Sequence, residues 1–171
     1  MRVPARLYHW PYGAGDARKR HQTQHRNRAP HSVSVYQNTT LNYASGNPAA
    51  NSIPGSLQID SGTFNMGTAN SPLTVGGSVA IFATLTLSSV PGGDLRVLGT
   101  YWQNDGGTFN SNARTVTLES TSISQSIIGT VGTTFADLTI NNSSAGGVSL
   151  GNSQTVNGTL TLTRGRVSLG A

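Results

Sequence analysis

The chain has 171 residues, no cysteine and a charged fraction of only 10%, well below the quarter usual for a globular domain. Disulfide frameworks, thiolate metal sites and thioredoxin-type chemistry are therefore excluded, and no apolar run approaches the 18 residues of a membrane-spanning helix. The formal charge of +5 is unevenly placed: residues 1–31 carry seven basic side chains against Asp16 and hold all four histidines, whereas the remainder has four arginines against five acids.

Residues 1–31 offer little to bury. Pro4, Pro11 and Pro30 with Gly13 and Gly15 interrupt any long helix, and no apolar core or small-residue cleavage site marks a secretory signal. This stretch is expected to be a disordered basic leader. Its Tyr8, Trp10 and Tyr12 could stack on bases beside the arginines, but no folded reader accompanies them, so nucleic acid is not expected as a partner. His21 and His25 have the four-residue spacing of ligands on one helix face. Nothing nearby completes a site, and no metal or cofactor is expected.

Residues 32–54 read as a linker or N-terminal cap, with Val33, Val35 and Tyr36 placed to start a first coil and Pro48 and Pro54 bracketing a loop. From residue 55 the chain repeats. Apolar-polar-apolar steps recur at Leu57 and Ile59, Val79 and Ile81, Leu95 and Val97, Val116 and Leu118, Leu138 and Ile140, and Leu160 and Leu162. The first members are separated by 22, 16, 21, 22 and 22 residues. A near-constant period of this size marks an array whose units must stack to bury anything, and the alternation with Val, Ile and Thr makes the unit a strand. Gly76-Gly77, Gly92-Gly93, Gly106-Gly107 and Gly146-Gly147 supply the corners. The pattern predicts a right-handed parallel β-solenoid of five to six coils over residues 55–171. An antiparallel β-sandwich is the alternative, favoured by the frequent glycine turns but not by the repeat length.

In such a solenoid the apolar members point inward as one column. Ser56, Ser78, Asp94, Thr115, Asp137 and Thr159 point outward, followed by Gln58, Ala80, Arg96, Thr117, Thr139 and Thr161. Two ligand-face readings follow. Asp94 and Asp137 fall two coils apart, about 9.6 Å at ideal stacking, near the upper limit for an inverting carboxylate pair. Arg96 would then stand beside Asp94, and Tyr101-Trp102 at a coil corner would offer a platform for a sugar. The simpler expectation is an Asp94–Arg96 surface ion pair with one packed and one surface aromatic. Alternatively, Thr115, Thr117, Thr139, Thr159 and Thr161 form a hydroxyl and methyl lattice able to order water, which is also ordinary filler of solenoid faces. No phosphate loop, dinucleotide fingerprint or nucleophile elbow is present in the sequence.

GTFN occurs at residues 62–65 and again at 107–110. Together with TFADLTINNSSAGGVSLGNSQTVNGTLTLTRGRVSLG at 134–170, this resembles repeats of large bacterial secreted and cell-surface β-helix proteins, adhesin-like and autotransporter-type passengers among them. The resemblance covers about residues 55–171. It implies an extracellular or cell-surface location and a non-catalytic structural or adhesive role, with surface glycans or other surface proteins as partners. A polysaccharide-binding or polysaccharide-cleaving fragment and an ice-binding threonine ladder are the alternatives. The chain is expected to be part of a longer array, with self-association through an open strand edge.

Overall fold

Val116, Leu138 and Leu160 stand in register on three successive parallel strands, and that stacking organises the molecule. The structure is a computed structural model describing residues 32–43 and 51–170. The basic leader, with the Tyr8, Trp10 and Tyr12 arm and the His21–His25 pair, lies outside the described residues.

Each circuit contributes one strand to each of three stacks. The first holds β1 (Val33–Val35), β2 (Thr39–Asn42) and β3 (Ser52–Ile53); the second β4 (Leu57–Ile59), β5 (Gly62–Asn65) and β6 (Leu73–Val75). The third holds β7 (Val79–Ile81), β8 (Thr84–Thr86) and β9 (Leu95–Val97); the fourth β10 (Tyr101–Asn104), β11 (Thr108–Asn110) and β12 (Thr115–Ser120). Then come β13 (Gln125–Ile128), β14 (Thr134–Phe135) and β15 (Asp137–Asn142), followed by β16 (Val148–Leu150), β17 (Thr155–Val156) and β18 (Leu160–Arg164). β19 (Val167–Leu169) opens one more circuit.

Face 1 is the seven-stranded sheet β1-β4-β7-β10-β13-β16-β19. Face 3 is the six-stranded sheet β3-β6-β9-β12-β15-β18. Face 2 is split into β2-β5-β8-β11 and the pair β14-β17. The protein is therefore an all-β parallel solenoid of about six turns, about 22 residues apart, and no helix occurs among the described residues. Every strand pair described is parallel, which rules out the antiparallel sandwich. Pairing also reaches upstream of residue 55, because β1 aligns Val33 with Leu57 and β2 aligns Leu41 with Phe64.

Period-2 alternation explains the core. On face 3 the inward stacks are Leu73, Leu95, Val116, Leu138, Leu160 and Ile53, Val75, Val97, Leu118, Ile140, Leu162. Face 1 brings Leu57, Val79, Trp102 and Ile127 together, and face 2 brings Phe64, Leu85 and Phe109. Between the two ends these side chains, apart from the partly buried Phe109, are almost wholly removed from water, at roughly 1.5–3 kcal/mol for each large one.

The single column predicted from the repeat is in fact two. Leu57 and Val79 belong to face 1, whereas Leu95 and its successors belong to face 3. The anomalous 16-residue step is the passage from face 1 to face 3 within one circuit. Both faces use the same apolar-polar-apolar triplet, so periodicity alone cannot separate them.

Candidate functional site

The outer surface of face 3 carries the threonines expected there. Thr117 aligns with Thr139 and Thr139 with Thr161, while Thr115 aligns with Asp137, which precedes Thr159 by one coil. Successive ranks lie about 4.8 Å apart. Thr115, Thr117 and Thr139 are half-buried and Thr159 and Thr161 exposed. Arg96 aligns with Thr117 and with Thr74, so the central rank reads Thr74, Arg96, Thr117, Thr139, Thr161. A bulge after Ile140 sets Asn141 against Arg164 and ends the regular lattice.

Asp94 and Asp137 do fall in one outward stack, two coils apart. Each carboxylate has a local role: Asp94 Oδ1 accepts the Thr115 backbone N–H at 2.9 Å, and Asp137 Oδ1 accepts that of Thr159 at 2.6 Å. Both donors stand at the entry of a face 3 strand, where the ladder has just begun and an acceptor is needed. Arg96 does not pair with Asp94. Its guanidinium instead donates through Nε and Nη2 to Glu119 Oε2 on the coil above. Alternation explains the choice: Asp94 is anchored by the next strand's backbone, and Glu119 sits near the far end of β12, within reach of the long Arg96 side chain.

Tyr101-Trp102 is no corner platform. Both lie on β10; Trp102 faces inward, fully buried, against Phe109 at 4.9 Å and Phe135 at 5.3 Å between ring centroids. Its indole N–H donates to Thr133 Oγ1 at 3.0 Å, which satisfies the polar edge of an interior ring.

Two outward features are not marked by the apolar-polar-apolar period. On face 2, Thr40, Thr63, Thr84 and Thr108 form a second rank, flanked by Asn42, Asn65, Thr86 and Asn110. Amide hydrogen bonds tie the flank together, Asn65 to Asn42 and Asn110 to Thr86, both at 3.1 Å. The recurring GTFN was its signal, since the two copies sit two coils apart on this face with Phe inward. The second feature is Phe82, an exposed ring at the corner after β7. Asp60 and Asp105 stand one coil to either side, each bonded to a glutamine, Gln58 or Gln103.

No group of three or more metal-ligating side chains occurs among the described residues, and no helix there is long and apolar enough to cross a membrane. Comparison of the chain with protein-family models, with curated proteins and with solved structures finds no match.

Proposed function

We propose that the chain is a non-catalytic structural or adhesive module of a bacterial surface or secreted protein, acting outside the cell or on its surface. The observation that carries this reading is the use of the outward carboxylates. Asp94 and Asp137, the pair placed best for acid–base work, hold strand-entry amides, so the outer faces present a backbone-fixed lattice of hydroxyls and amides. A rigid lattice of this kind favours multivalent contact with surface glycans or surface proteins, because little ordering is needed on binding.

The test is retention of chain-coated beads on glycan-coated and protein-coated surfaces, with an assay for new reducing ends on polysaccharides in parallel. Retention without new reducing ends is expected. Turnover of any polysaccharide overturns the non-catalytic reading, and failure to be retained on every surface overturns the adhesive one. The second threonine rank on face 2 favours one further reading, a water-ordering or ice-recognising surface, which predicts measurable thermal hysteresis; the adhesive reading predicts none.

A further inference from the structure

The corner between face 3 and face 1 changes length along the axis. In the lower coils it is short and tightly stacked: the Gly76 N–H donates to Ile53 O at 2.7 Å, Leu98 to Val75 at 2.9 Å, and Gly99 to Gly77 at 3.0 Å. A Cβ on Gly99 would strike the Gly77 backbone, so only glycine permits this approach. One coil higher, β12 continues through Ser120 and the chain turns only over residues 121–124. Ser120 Oγ holds that turn by accepting the Ser122 and Ile123 N–H groups at 3.3 and 2.9 Å.

The longer corner places no backbone N–H on Gly99 O, whereas its counterpart Gly77 O accepts the Gly99 N–H. The buried Gln125 amide takes over, donating to Val97 O at 3.0 Å and Gly99 O at 2.8 Å. Its Oε1 in turn accepts from Asn142 Nδ2 at 3.0 Å, and Asn142 also donates to Ile123 O at 2.9 Å. The ledge is thus tied by a buried polar network to the coil below through Gln125 and to the coil above through Asn142. It overhangs a cleft of about 460 Å³ lined by Thr74, Arg96, Leu98, Glu119, Ser120 and Ile123, within the range of small-ligand sites.

The chemistry of this cleft is balanced. Arg96 and Glu119 neutralise each other, yet a guanidinium with five N–H donors and a carboxylate with two oxygens retain capacity beyond their mutual bonds. Thr121 and Ser122, exposed on the ledge, add hydroxyls, and Ile123, also exposed, joins Leu98 as the apolar part of the lining. Adjacent donors and acceptors with no net charge, beside a small apolar wall, match a ring that carries hydroxyls on its edge and C–H groups on its faces. We infer that the cleft under the Ser120–Ile123 ledge binds a neutral saccharide unit, with Arg96 and Glu119 reading its hydroxyls and Ile123 covering a C–H face. The inference rests on the adhesive reading and supplies it with a specific site.

Because residues 1–31 are strongly basic and would attract anionic polymers on their own, neutral sugars are the discriminating probe. The full chain is titrated at physiological salt against immobilised neutral oligosaccharides (β-glucan, mannan and xylan fragments) and against uronate and sulfated ones. Arg96→Ala, Glu119→Gln and Ile123→Ser are compared with Ser153→Ala, an exposed position outside both the cleft and the threonine ranks, and thermal melting establishes that each is folded. The expected result is binding to at least one neutral series that weakens tenfold or more in each folded cleft variant and is unchanged in Ser153→Ala. Neutral binding that survives the cleft variants overturns the site while leaving adhesion intact. Binding to anionic series alone, or to none, overturns the inference; the bead-retention assay then decides the adhesive reading separately.

Discussion

Asp137 is one side chain whose two readings, catalyst or strand anchor, make different predictions. Its carboxylate accepts one backbone N–H at the solvent-facing edge, so Asp137→Ala is expected to lower stability by about 1 kcal/mol in urea denaturation, and Asp137→Asn, which keeps an acceptor, by less. Tyr43 gives a second residue-scale expectation. Its hydroxyl donates to Asn51 Oδ1 at 2.7 Å, its ring stacks on Phe64 at 6.2 Å, and burial pushes its pKa above the ordinary 10.0. In the unfolded chain the phenol ionises first, so the stability that neutral Tyr43 contributes is complete below about pH 10 and is lost as pH rises through the folded value. Melting temperatures measured from pH 8 upward should fall more steeply in the native chain than in Tyr43→Phe. Neither role could be read from residue type: a carboxylate in an outward stack and a tyrosine beside a loop look the same whether they meet ligand, backbone or solvent.

At the scale of the strand, inward and outward positions alternate, and substitutions should follow that alternation. Leu118→Ala opens a cavity in the face 3 column and should cost about 2–5 kcal/mol, whereas Thr117→Ala, one residue away on the outer side, should stay within about 0.5 kcal/mol by the same denaturation measurement. Strand positions and the Val116–Leu138–Leu160 register were legible in the sequence because period-2 triplets returned at near-constant spacing. The division into three faces was not, since Leu57-Gln58-Ile59 and Leu95-Arg96-Val97 have the same form and lie on different sheets. The cleft was less legible still. It arises from a difference in corner length between coils, and Ser, Thr and Ile at residues 120–123 announce nothing until the shorter corners below them are placed.

For the whole molecule, nearest-neighbour stacking sets how stability is distributed. Interior strands such as β9 and β12 have a paired strand on each side, while β18 and β19 each have one, and Leu160, Leu162 and Leu169 there are 51%, 57% and 84% exposed. Amide exchange should therefore be slowest around Leu95–Leu118 and fastest in the last described coil. Seams between coils run across the long axis, so a load applied at the two ends acts on each seam in turn. A stack built this way yields by peeling: release of one circuit of about 22 residues frees on the order of 70 Å of slack, while the circuits behind it keep their shape.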